Sequence, residues 1–175
     1  MSVLKLRFYF PKVVIHLGVV AFVALVLQLL ALYAPLGDDD LPRRILIVSS
    51  YVLLLGFVLA NLRRPGIVVL GIGLALNFTA IVANGGLMPI SPETVADAHI
   101  NLNGVSLSEW VPRSKDVLLA PEDTHLRFLT DIFVWRNPSS VRAFSIGDLV
   151  LAAGIVLTLA DLLLPRVSRL PADRP

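Results

Sequence analysis

The sequence predicts an all-α membrane protein: four transmembrane helices carrying a small extracytoplasmic cap of a short helix, a β-hairpin and an interfacial helix. Three observations carry that prediction. The chain of 175 residues is 56% hydrophobic and only 16% charged. Its mean hydropathy of +0.80 is well above that of a soluble domain of this size. The apolar residues gather in four long runs, and the basic residues near the run ends divide unevenly between the two sides.

Taken in order, residues 1–12, MSVLKLRFYFPK, are basic and aromatic. They suit an interfacial segment with Phe8, Tyr9 and Phe10 at headgroup depth. The run 13–33 is longer than a signal-peptide core of roughly 7–15 residues and lacks an A-x-A site, so it reads as an uncleaved first span. Residues 34–44, APLGDDDLPRR, form a loop, and 45–61 a short second span. In the tight turn 61–65, Pro65 stops one helix and opens the next. The third span, 66–84, completes a three-helix membrane region over 13–84. Residues 85–145 make the cap, 146–165 the fourth helix closed by Pro165, and 166–175 a basic tail.

Charge sets the orientation. With the N-terminus in the cytoplasm, the inner segments hold Lys5, Arg7, Lys12, Arg63, Arg64, Arg166, Arg169 and Arg174 against Asp173 alone. The positive-inside rule then gives a multi-pass protein of the bacterial inner membrane with both termini cytoplasmic. Arg43 and Arg44 sit at an outer span end and oppose this assignment.

The cap carries its own signals. Ser91-Pro92-Glu93-Thr94 reads as a helix start, with Ser91 as N-cap, for a helix over 92–98. In residues 100–107, INLNGVSL, alternating triplets flank Asn103-Gly104, a type I′ hairpin signal. Residues 125–135, HLRFLTDIFVW, read as an interfacial helix with Leu126, Phe128, Leu129 and Ile132 on its apolar side. Trp110 and Trp135 mark the interface.

Several chemistries are excluded. The absence of cysteine rules out disulfides, thiolate metal sites and cysteine nucleophiles. A net charge of +2 does not suit nucleic-acid binding. The three histidines, His16, His99 and His125, share no ligand spacing, so no metal site is predicted. No cofactor is predicted either, although His16 alone can supply one axial ligand to a tetrapyrrole; a hydrogen bond to a neighbouring helix is its commoner role.

Two stripes of small residues stand out. The third span carries Gly66, Gly73, Asn77, Ala80 and Asn84; the fourth carries Gly147, Gly154, Thr158 and Asp161. Small residues let helix backbones approach in lipid. The stripes are expected to face each other, with Asn77 hydrogen-bonded across. Asp161, near the inner end, is expected to pair with Arg63, Arg64 or Arg166. Asp148 lies one turn inside the outer end, at about the depth of Asn84. Asp131 and the turn Asn84-Gly85-Gly86 can converge there, a candidate binding site for a cation or an acid–base pair. The plainer role for Asp148 is to cap its own helix.

Three segments together carry a resemblance: ANGGLMPIS after the third span, HLRFLTDIF in the cap and FSIGDLVLAAG opening the fourth span. They resemble a bacterial membrane family catalogued as a domain of unknown function, number five-three-one-seven, over residues 13–165. Members often have glycine where Thr130 precedes Asp131, and often start with a further apolar segment where residues 1–12 are short and basic. The resemblance implies a small polytopic bacterial membrane protein and transfers no catalytic residues. The expected function is that of an accessory or structural subunit of a larger bacterial membrane complex, in contact with the bilayer and with other membrane subunits or itself. One alternative is a small-molecule or ion binding or transport protein with a site at the outer rim of helices 3 and 4. A second is an outer-leaflet enzyme using Asp131 and Asp148, which the absence of a catalytic constellation disfavours.

Overall fold

Four apolar helices stand in a row: α1 (Gly18–Tyr33), α2 (Leu41–Ala60), α3 (Pro65–Ala83) and α5 (Ile146–Leu163), each packed on the next. The computed structural model describes residues 6–9, 15–37, 39–99, 104–137, 140–164 and 166–169. Helices α2, α3 and α5, of 20, 19 and 18 residues, are long and apolar enough to cross a membrane. α1 is equally apolar but has 16 residues, about 24 Å of rise, short of the roughly 30 Å hydrocarbon core. The span expected over 13–33 is therefore shorter at its start. Leu17 takes a left-handed conformation at φ 56°. Asn61, at the end of α2, clamps the turn: its Oδ1 accepts from His16 N at 2.9 Å and its Nδ2 donates to His16 O at 2.8 Å.

The same contacts make α1 and α2 antiparallel, because at the other end Arg43 Nε donates to Ala31 O at 3.0 Å. α3 and α5 also run antiparallel, at very close range. A Cβ added to Gly66 would meet Thr158 backbone at 2.5 Å, and one added to Gly73 would meet Leu151 N at 2.5 Å. A Cβ on Gly147 would strike Asn77 Oδ1, and one on Gly154 would strike Leu70 N. Backbone-to-backbone contact of this kind replaces the hydrophobic drive that lipid removes. Arg64 Nη1 reaches Asp161 Oδ2 at 2.8 Å and ties the far end of the pair.

The cap rests on one buried strand. β2 (Met88–Ile90) pairs in parallel with β3 (Asp116–Leu118), in register Met88↔Asp116. Leu87, Met88 and Ile90 are buried. A short α4 (Pro92–Asp97) follows, and Ser91 Oγ accepts from Thr94 N at 3.2 Å, the cap that the S-P-E-T signal predicts. Ile90, Val95, Val111 and Leu118 form a second small core, against which Val105 and Ala143 pack. Residues 100–103 of the expected Asn-Gly hairpin lie outside the described residues.

The interfacial helix expected over 125–135 does not form. Leu126 is left-handed at φ 51°, Arg127–Leu129 make one 3-10 turn, and Thr130 closes it through Oγ1 to Arg127 O at 2.8 Å. The chain then extends as β4 (Phe133–Asn137), paired antiparallel with β5 (Ser140–Phe144). Phe133 stacks on Phe144 at 5.7 Å between ring centroids. Bulky aromatic and β-branched residues favour that hairpin over a helix. At the opposite end of the molecule, β1 (Leu6–Tyr9) pairs antiparallel with β6 (Arg166–Arg169), so the expected interfacial segment and tail meet in a two-stranded ribbon.

Candidate functional site

Asn84, Gly85 and Gly86 turn the chain from α3 into β2. Both glycines have positive φ, +77° and +101°, where a side chain is strained. Arg44 Nη1 donates to Gly85 O at 2.6 Å. Asn84 Nδ2 donates to His125 O at 2.9 Å, and its Oδ1 accepts from His125 N at 2.8 Å. This clamp holds the loop before Asp131 on the end of α3. β2 then acts as a template from both edges: Met88 N donates to Lys115 O at 3.0 Å, and Asp131 N donates to Pro89 O at 3.3 Å. Lys115, Asp116 and Asp131 are thereby placed over the ends of α3 and α5.

Beneath them, Ser145 and Asp148 form a reciprocal capping box at the start of α5. Asp148 N donates to Ser145 Oγ at 3.0 Å and Ser145 N to Asp148 Oδ2 at 3.1 Å. The carboxylate does more than cap. Asn77 Nδ2 donates to Asp148 Oδ1 at 2.7 Å, and Ser145 Oγ donates to Asn77 Oδ1 at 2.7 Å. Lys115 Nζ lies 3.2 Å from Asp148 Oδ2 and 3.8 Å from Asp131 Oδ1. Tyr51 of α2 stacks on Phe78, the residue after Asn77. One connected polar network thus joins α3, α5 and the cap.

Asp116 and Asp131 are 8% and 2% exposed. Ser114 Oγ donates to Asp116 Oδ2 at 2.5 Å, while Asp116 Oδ1 and Asp131 Oδ1 are buried acceptors without a donor when both groups are ionised. An unpaired buried charge is costly. One proton on Asp131, donated to Asp116, satisfies both oxygens. The environment favours that state: burial lifts both carboxyls above the ordinary range, Lys115 opposes it, and the neighbouring Asp116 raises Asp131 further. For Lys115, burial alone would favour the neutral amine, but the surrounding carboxyl groups, Asp131 foremost, outweigh it and hold the ammonium charged.

Of the residues that the sequence singles out as a candidate site, Asp131 and Asp148 come together, through Lys115. Asn84, Gly85 and Gly86 do not join them; they form the clamp and turn that position the cap. Gly66, Gly73, Asn77, Gly147 and Gly154 lie along the α3–α5 contact, and Asn77 also belongs to the polar network. His16 sits in the turn before α1, where its main chain is bound to Asn61. Among the described residues no group of three His, Cys, Asp or Glu side chains is arranged to hold a metal ion. Sequence reasoning missed Lys115, Asp116 and Ser145. For Ser145 a signal existed in S-I-G-D, a capping-box spacing.

Lys115 also lines a cavity of about 340 Å³ with Leu25, Gln28, Leu29 and Leu32 of α1 and Ile47 and Tyr51 of α2. Its side chain keeps 23% of its surface exposed. Nearby, Arg43 lies with its guanidinium 3.6 Å from the Trp110 ring centre and bonds Asp40 at 3.0 Å. Arg43 and Arg44, which oppose the charge-based orientation, are thus engaged in holding the cap.

No curated protein and no solved structure matches the chain. A family model does, over residues 12–160, which contain α1 to α4, most of α5 and every member of the polar network. The chain therefore belongs to the family described as a family of unknown function, DUF5317.

Proposed function

We propose that this is a four-span protein of the bacterial inner membrane, with its cap outside and both termini inside, that binds a small molecule at the junction of cap and helices. The observation that carries the binding reading is Lys115. Its ammonium is held by Asp148 of α5 and Asp131 of the cap, while its side chain still opens onto a cavity between α1 and α2. Pockets that combine apolar walls with a few convergent polar groups are the usual form of ligand sites. Four crossings are supported by the β1–β6 pairing. If α1 did not cross, three crossings would leave residues 6–9 and 166–169 on opposite sides. The accessory-subunit reading rests on small size, the absence of a catalytic constellation, the apolar face of the expected hairpin and a short second span, and α2 has 20 residues. An enzymatic reading would need Asp131 to meet a substrate, and Asp131 is almost wholly enclosed.

The test uses the full chain purified from its own membranes into lipid nanodiscs. Solvent extraction and mass spectrometry should find a small molecule near one per protein. Lys115→Met should lower its occupancy by about tenfold, a loss of ~1.4 kcal/mol. Recovery of a stoichiometric protein partner with no bound small molecule would return the reading to an accessory subunit.

A further inference from the structure

The cavity beside Lys115 has walls and a floor of different chemistry. Leu25, Leu29 and Leu32 repeat along one face of α1, and Ile47 faces them from α2. Its polar lining is Lys115, Tyr51 and Gln28. Gln28 lies in the middle of an apolar helix, and its amide has no hydrogen-bond partner among the described residues. A lone amide at membrane depth is costly unless something meets it. Lys115 has three N–H donors, and its described acceptors are Asp148 and the more distant Asp131. A donor and an amide with both donor and acceptor capacity therefore border one cavity whose sides are hydrocarbon. Water is a poor occupant for such walls, and a pure alkyl chain leaves the polar groups unmet.

We infer that the cavity holds the head of an uncharged amphiphile that enters sideways from the bilayer between α1 and α2. This inference rests on the binding reading above and names the ligand class. The charge count selects an uncharged head. Lys115 is already flanked by the carboxyls of Asp148 and Asp131, so a phosphate or carboxylate would bring a further acid beside them. A carbonyl or hydroxyl head accepts from Lys115 and exchanges hydrogen bonds with Gln28, and needs no counter-charge. The volume of about 340 Å³ takes a headgroup and the first few carbons, leaving the rest of the tail in lipid.

The experiment uses three photoactivatable lipids of matched chain length in nanodiscs: a diacylglycerol, a phosphatidylglycerol and a sphingoid amine, each with a diazirine next to the head. The expected result is cross-linking of the diacylglycerol to residues 25–32 or 47–51, about tenfold above the anionic probe. Leu29 is 56% exposed, so Leu29→Trp narrows the mouth without entering the core. It should cut that labelling about tenfold. Equal labelling by all three probes marks ordinary boundary lipid and overturns the inference, as does labelling that survives Leu29→Trp. Preferential labelling by the amine overturns the uncharged head. If a water-soluble molecule copurifies in a Lys115-dependent way while no probe labels the cavity, the lateral lipid ligand falls and the binding reading stands.

Discussion

At the scale of single residues, the cluster makes a pH prediction. Asp131 and Asp116 are raised, first by burial, and a proton shared between them would meet both buried oxygens. A carboxyl whose native pKa exceeds its unfolded value of 3.8 binds more protons folded than unfolded. Its contribution to stability is therefore complete below about pH 4 and declines as pH rises through the raised value. The thermal midpoint of the detergent-solubilised protein should fall across that window relative to Asp131→Asn. The asparagine keeps an N–H donor for Asp116 but does not titrate. Comparing the two proteins isolates the pair, because every other carboxylate titrates in both. Identical profiles for wild type and Asp131→Asn would remove the shared proton. Depth in the sequence was enough to single out Asp131 and Asp148. Lys115 was illegible because its place depends on the parallel pairing of β3 with β2, which has no local period. A lysine in R-S-K-D reads as solvated chain.

At the scale of elements, glycines divide into two kinds, and the division is measurable. Gly147 faces Asn77 Oδ1, the atom that accepts from Ser145, so Gly147→Ala both overpacks the α3–α5 contact and disturbs the network. Overpacking of this kind costs about 1–3 kcal/mol, and a lowered thermal midpoint with weakened retention of the cap is expected. Gly56 in α2 has nothing within 4 Å of an added Cβ. Gly56→Ala should be neutral or stabilising by up to ~1 kcal/mol, through higher helix propensity and a less flexible unfolded chain. Equal sensitivity of the two positions would mean that close approach does not govern the α3–α5 pair. These stripes were legible because small residues recur at helical spacing. The segment 125–135 was misread for a related reason: L-x-F-L-x-x-I also suits a helix. Its strand character lies in Phe133, Val134 and Trp135 together with the partner strand beyond Asn137, which a window ending at Trp135 does not contain.

At the scale of the whole molecule, hydropathy made three helices long and apolar enough to cross a membrane legible and overextended α1, which is preceded by a turn that Asn61 holds. The topology turns on α1. The ribbon of β1 and β6 requires an even number of crossings, and Arg43 and Arg44, once assigned to Trp110, Asp40 and Gly85, no longer weigh against an outer cap. The chain contains no cysteine, so a single introduced thiol reports its own side of the membrane. Glu122 is exposed in the cap, and Arg63 is exposed in the turn between α2 and α3. In intact spheroplasts a membrane-impermeant maleimide should label Glu122→Cys and leave Arg63→Cys untouched until the membrane is broken. The reverse pattern would invert the protein and put the Lys115 site on the cytoplasmic side. A thiol placed in the β1 ribbon decides α1: labelled only after lysis, like Arg63→Cys, it confirms that α1 crosses. Labelled from outside with Glu122→Cys, it would leave three crossings and deny the ribbon in the membrane.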